Sequence, residues 1–148
     1  MGRMTQETPA RPGDASRSPS LIVSSAVIVR DGRLLVVSKQ AAPEVFYIPG
    51  GKPDPGEDLE TALVRELAEE LGVVPVTRRP FQVVEAVAAL EGVPMVMTVY
   101  EVEITGVPRP AAELAAMRWV TGDEPDLVLA PAVRDHVLPL LRARGMLL

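Results

Sequence analysis

Residues 51–73 read GKPDPGEDLETALVRELAEELGV, a Pro/Gly-rich loop running into an acidic, amphipathic helix, and this stretch decides how the rest of the chain is read. Pro53, Pro55 and Gly56 exclude regular structure until Asp58, which can cap a helix running to about Leu71, and Gly72 supplies a C-terminal stop. At about 100° per residue, with Glu66 set to zero, Glu70 falls near +40° and Glu69 near -60°, so the three carboxylates share one face. Leu63, Val64, Leu67, Ala68 and Leu71 form a stripe on the other side, suited to packing on a sheet. Glu66 and Glu70 are like charges at i,i+4, which costs an isolated helix about 0.2–0.5 kcal/mol. A divalent cation would reverse that repulsion, and hard oxygen ligands suit Mg2+ or Mn2+. The alternative is a solvated charged face with Arg65 as pairing partner.

Gly50 and Gly51, just before the helix loop, permit positive φ and close backbone approach, as needed where main-chain groups meet a phosphate or a metal. Lys52 gives a Gly-Lys pair, but Pro53 follows it where a P-loop needs Ser or Thr, so that motif is absent. Upstream, the β-branched runs at residues 21–29 and 33–39 flank Asp31-Gly32 and predict a hairpin. Residues 40–44 read as a loop and 45–48 as a short strand stopped by Pro49-Gly50-Gly51. Downstream, a loop containing Pro75 and Pro80 leads to strands at 81–90 and 93–104 around Glu91-Gly92, with Pro94 expected at a strand start or an edge. Residues 113–120 predict a strand whose first half could be helical. A final helix begins at Pro131, with Pro139 placed to kink it. This order predicts an α/β (α+β) fold in which a mixed, partly antiparallel sheet is flanked by helices.

The chain has 148 residues, enough for one domain that buries roughly 70% of its unfolded surface. Residues 1–20 are rich in Pro, Ser, Gly, Thr and Arg and read as a flexible tail, leaving 21–148 as a single domain. A net charge of -5 argues against a polynucleotide partner, since affinity for a phosphate backbone rests on clustered Lys and Arg. The absence of cysteine, of an apolar run of membrane-spanning length and of a signal-peptide core gives a cytoplasmic expectation with no membrane partner.

Gly51, Glu57 and the run Arg65-Glu66-Leu67-Ala68-Glu69-Glu70-Leu71-Gly72-Val73 resemble the complete Nudix box, G-x5-E-x7-R-E-U-x-E-E-x-G-U, of the Nudix hydrolases. Every fixed position is filled. The resemblance implies an α/β/α sandwich and a pyrophosphohydrolase that cleaves a nucleoside diphosphate linked to a moiety X, using water and Mg2+ or Mn2+, to give a nucleoside monophosphate and phosphorylated X. It further implies Glu66, Glu69 and Glu70 as catalytic metal ligands, Glu57 as a further ligand through water, and structural roles for Arg65 and Gly72. In some members the glutamate matching Glu66 also serves as the base.

Outside the box, some relatives use a carboxylate six residues before a tryptophan. Glu113 stands so before Trp119, with a solvated acid at a strand start as the other reading. Lys39 matches a basic residue that relatives place on a substrate phosphate, with an exposed lysine as the other reading, and Lys52 is a further candidate. His136 reads as a surface residue rather than a base. Tyr47 and Phe81 are the first aromatics to test as a platform for a base. The last helix offers Pro131-Ala132-Val133 where the 8-oxo-dGTP branch often has an asparagine. Ala89 and Glu91 stand where ADP-ribose and dinucleoside polyphosphate branches have proline and tyrosine. The substrate is therefore expected only as a nucleoside di- or triphosphate derivative. A module that binds or senses a nucleotide without cleaving it is the alternative, and the sequence leaves the oligomeric state open, the resemblance offering a homodimer as one assembly.

Overall fold

The computed structural model describes residues 20–148, so the tail read over 1–20 lies, apart from Ser20, outside the described residues. Two four-stranded sheets form the centre of the described chain. The first contains β1 (Leu21–Val27), β5 (Gly50–Gly51), β6 (Pro75–Val87) and β7 (Pro94–Ile104) in the order β5-β1-β7-β6. It is mixed, because β1 runs parallel to β7 while the other pairs are antiparallel. The second contains β2 (Val29–Arg30), β3 (Arg33–Lys39), β4 (Ala42–Tyr47) and β8 (Leu114–Val120), with β3 paired to the other three.

Alternation along the strands explains why the sheets are covered on both sides. Val27, Leu34, Val36, Met97 and Val99 point into one apolar cluster with Val133, Val137, Leu138 and Leu141 of the C-terminal helical segment. Their neighbours Ala26, Ile28, Leu35, Val37, Tyr100 and Val102 point into a second cluster with Leu63, Leu67 and Leu71 of α1 (Leu59–Leu71). The result is the expected arrangement of helices on both faces of the β-structure.

Several local expectations are corrected. The hairpin is confined to Val29↔Leu34 and Arg30↔Arg33, because the residues before Ile28 pair in the other sheet with β7 and β5. Nonlocal pairing with β7 along seven residues outweighs continuation of the turn. The strand expected at 45–48 begins at Ala42, opposite Lys39, and includes Pro43, which falls in the register shift between the Ala42 and Tyr47 pairs with β3, where a missing N–H is tolerated; on the other edge Phe46 bridges to Leu129. Gly50 and Gly51, expected to stop a strand, themselves pair with Ser25 and Ser24. The loop expected around Pro75 and Pro80 is the first half of β6, an edge strand whose register shifts near both prolines. Its turn back to β7 starts after Val87, and Pro94 opens β7 as expected.

Residues 114–120 are strand throughout. At the C-terminus the Leu138 N–H reaches back five residues to the Val133 carbonyl, a turn widened over Val133–Val137, before α2 (Leu138–Ala143) continues normally. Pro139 explains the widening: it has no N–H to offer the carbonyl four residues back.

Candidate active site

The acidic helix is fixed at both ends before it meets the sheets. The Asp58 side chain accepts from the Thr61 N–H at 2.7 Å, and Gly72, at φ 68°, donates to the Ala68 carbonyl in a left-handed cap. Ser24 of β1 donates its hydroxyl proton to the Leu59 carbonyl at 2.8 Å, joining the first turn to the mixed sheet. The buried residues of α1 are Ala62, Leu63, Leu67, Glu70 and Leu71. The apolar stripe read from the wheel is thus displaced toward the acids: Ala68 is exposed and Glu70 lies inside. The cause is β5, which packs over that flank of the helix. A Cβ on Gly51 would stand 3.0 Å from Glu66 Cγ and overlap its carboxylate, while a Cβ on Gly50 would stand 2.7 Å from Ser25 Cα. These two positions have no room for a side chain, and Gly50 adds a φ of 145°.

The three box glutamates part company. Glu70 is 1% exposed, and its Oε1 accepts from the Gly50 N–H at 3.4 Å. Burial, reinforced by the charges of Glu66 and Glu113, pushes its pKa up to about 8. Glu66 is half-buried beside it, and its pKa is likewise raised by burial. Glu69 instead faces solvent, its side chain 54% exposed, and lies 3.3 Å from Arg65 Nη1.

Glu113 completes the cluster in place of Glu69. Ligand oxygens of Glu66, Glu70 and Glu113 all lie within 4.8 Å of one another. The preceding segment is tied to the end of α1: Arg109 N–H donates to the Leu71 carbonyl and Ala111 N–H to the Glu70 carbonyl. The Gln40 N–H then donates to the Glu113 carbonyl at 2.9 Å, setting the acid beside Lys39 at the start of β8. A register shift between Ser38 and Lys39 marks the same point on β3, and Lys39 lines the cavity that contains the three acids. The Lys39 charge acts on Glu70, lowering its pKa against the larger effect of burial.

Glu57 stands apart, engaged by Arg65 through two bonds, Nη2 to Oε1 at 2.8 Å and Nε to Oε2 at 2.9 Å. With the Asp54 N–H as a further donor, this holds the Glu57 pKa down to about 2. Arg65 Nη2 also donates to the Lys52 carbonyl at 3.2 Å, and Nη1 lies 3.4 Å from Glu66 Oε2. One guanidinium thereby spans the loop, the helix and the acid cluster. Lys52 is exposed at the cavity rim, and His136 is exposed on the C-terminal segment, away from the cavity lining.

The donor set fits a hard divalent cation. Glu70 is buried as an acid with one long backbone bond, and three convergent carboxylates without a cation repel one another. The cavity, about 300 Å³, extends from the acids to an apolar wall that includes Val23, Leu90, Met95, Met97 and Ala132. Of the two aromatics singled out as base platforms, Tyr47 lines it, whereas Phe81 packs in the core with the Arg144 guanidinium 4.7 Å from its ring centroid. The contribution of Val23 was not legible in sequence, because it depends on β1 lying parallel to β7, beside Met97.

The family model for the NUDIX domain matches residues 20–141. Over 125 residues the chain is 35% identical to a Mycobacterium tuberculosis protein named "Putative 8-oxo-dGTP diphosphatase 2", covering 82% of this chain and 88% of that one. It is 43% identical over 54 residues to the CTP pyrophosphohydrolase of Escherichia coli, covering 34% of this chain and 40% of the other. Among solved structures, the MutT NUDIX hydrolase of Burkholderia pseudomallei superimposes with a TM-score of 0.68 at 31% identity, covering 83% of this chain and 95% of that one.

Proposed function

The chain belongs to the Nudix family as a Nudix-type pyrophosphohydrolase, and from that premise we propose that it hydrolyses a nucleoside di- or triphosphate derivative in a Mg2+-dependent reaction, giving a nucleoside monophosphate and a phosphorylated product. The observation that carries the proposal is the buried Glu70 converging with Glu66 and Glu113 at one end of a cavity that also holds Lys39. Glu66, Glu70 and Glu113 would hold the cation, with Glu69 and Glu57 as outer partners positioned by Arg65. When bound, Mg2+ neutralises phosphate oxygens and lowers the pKa of the attacking water.

The protein residues then divide the remaining work. Lys39 pairs with a substrate phosphate and Lys52 adds positive charge at the rim. Gly50 and Gly51 let the main chain approach closely without a side chain in the way. A carboxylate of the cluster takes the proton of the attacking water as general base, and the water oxygen displaces the leaving phosphate at phosphorus. The apolar wall accommodates the nucleoside.

The reading treats residues 21–148 as one Nudix domain in the cytoplasm, the compartment of its nucleotide substrates. It also includes a homodimer, supported by Val76, Val83 and Val87 exposed on the edge strand β6, and sedimentation equilibrium would measure it. The functional test is release of monophosphate from a panel containing 8-oxo-dGTP, dGTP, CTP and ADP-ribose, with Mg2+ and with EDTA, and with Glu70→Gln as control. Turnover that needs Mg2+ and is lost in the variant is expected. No product from any member, with a nucleotide nevertheless tightly bound, would replace the enzyme reading with a nucleotide-binding module.

A further inference from the structure

A phenol without a partner stands in the cavity wall beside the carboxylates. Tyr47 ends β4, opposite Val37 on β3. Its ring packs against both apolar clusters, but its hydroxyl oxygen is shut from solvent and makes no hydrogen bond among the described residues. Buried hydroxyls are ordinarily paired, because an unpaired one forfeits the hydrogen bonds it would have in water. Phenylalanine would fill the same volume without that cost. The hydroxyl therefore needs an explanation that packing does not supply.

The surroundings indicate what the missing partner is. The charged groups acting on Tyr47 are Glu70, Glu113, Glu91 and Glu66, all of which line the same cavity. Burial first, and then these negative charges, push the phenol pKa up, so the oxygen keeps its proton and is a donor. None of these carboxylates accepts a hydrogen bond from it. Carboxylates that hold a cation would direct their lone pairs to that cation. The remaining acceptor suited to a cavity with a cation site and Lys39 at one end is an anionic oxygen of the ligand itself.

We propose that Tyr47 is a substrate-positioning residue whose hydroxyl, shut from solvent in the unliganded fold, turns into the cavity when substrate binds and donates a hydrogen bond to a non-bridging phosphate oxygen of the bound pyrophosphate, fixing the phosphates across Glu66, Glu70 and Glu113. This rests on the pyrophosphohydrolase reading and adds a neutral donor to the cationic Lys39. It assigns Tyr47 to the phosphates, in place of the base-stacking role that its aromatic ring suggested. Neutrality suits the position, since a neutral donor orients an oxygen without competing with the cation for the acids.

Tyr47→Phe in the full chain removes only the hydroxyl. The probe is methylenediphosphonate, a pyrophosphate analogue that is not hydrolysed, titrated calorimetrically with Mg2+ present, alongside steady-state kinetics on the best nucleotide of the panel. Because a bond to a charged acceptor is lost, methylenediphosphonate affinity should fall about tenfold or more and KM should rise by a similar factor. The melting temperature without ligand should stay level or rise. Unchanged affinity and KM overturn the proposal, as does a lowered melting temperature that accompanies the loss, which would make the hydroxyl structural. Wild-type protein that binds the analogue but turns over no nucleotide counts against the reaction alone, because the binding arm still reads Tyr47 directly.

Discussion

Replacing Glu70 by glutamine should stabilise the protein while disabling it. The carboxyl is 1% exposed and its pKa is about 8 in the fold against an ordinary 4.5. A raised folded-state pKa means that the native protein holds its proton more tightly than the unfolded chain. The associated stability is therefore complete below pH 4.5 and is lost as pH rises through 8. At pH 7 the unfolded carboxyl is ionised and the folded one largely neutral, so the wild-type protein without metal forgoes up to about 3 kcal/mol that it would have if the residue never ionised. Glutamine retains an oxygen for the Gly50 N–H and carries no charge to bury.

In EDTA at pH 7, Glu70→Gln should melt roughly 5–10 °C above wild type for a chain of this size. At pH 5 the same calculation leaves about 1 kcal/mol, so the two curves should draw together. Saturating Mg2+ should reverse the comparison, because a ligand at about 100 times its Kd stabilises the native state by roughly 2.7 kcal/mol and the variant would lack one of the carboxylates proposed to hold the cation. Differential scanning fluorimetry across pH, with EDTA or Mg2+, reads all of these effects. A variant that is less stable than wild type in EDTA at pH 7, or one that keeps the full Mg2+ response, would refute the reasoning.

Glu113→Gln should weaken Mg2+ binding more than Glu69→Gln, because Glu113 lies in the cluster while Glu69 pairs with Arg65 at the surface; calorimetric Mg2+ titration of both variants compares them directly. Arg65→Lys cannot reproduce the paired bonds to Glu57 together with the bond to the Lys52 carbonyl. Its turnover should fall roughly 10–100-fold, as for other losses of groups that orient ligands, with circular dichroism unchanged. Gly51→Ala should displace the Glu66 carboxylate, since the added Cβ would stand 3.0 Å from Glu66 Cγ. A crystal structure should show the side chain turned away, and Mg2+ affinity should drop with it.

Much of the site is written locally in the chain. Asp58, the apolar spacing of Leu63, Leu67 and Leu71, and Gly72 specify a helix by short-range chemistry, and that helix carries Glu66, Glu69 and Glu70 at fixed angles wherever it docks. Arg65 and Glu57 are only eight residues apart, but their pairing is not read from the sequence, which offers Glu57 as a further ligand through water; the loop over residues 52–58 folds back and sets its carboxylate against the guanidinium. The same locality hid the prolines of β6. Pro75 and Pro80 argue for a loop until the strand is known to lie at a sheet edge, where an absent N–H leaves no partner unsatisfied.

The sequence by itself determined the helix, its acids and their match to a pyrophosphate-cleaving family, because those features depend on neighbours within a few turns. Only the tertiary structure decided which acids meet. Glu70 is buried because Gly50–Gly51 pairs with β1 and closes over that flank of the helix, and Glu113 joins it because β8 pairs with β3 while the segment before it is hydrogen-bonded to the end of α1. Glu69, only one residue before Glu70, is turned about 100° away and stays in solvent. The second half of the helix offers Glu66, Glu69 and Glu70, and the contacts made by distant strands select two of them and add Glu113, from 43 residues beyond Glu70.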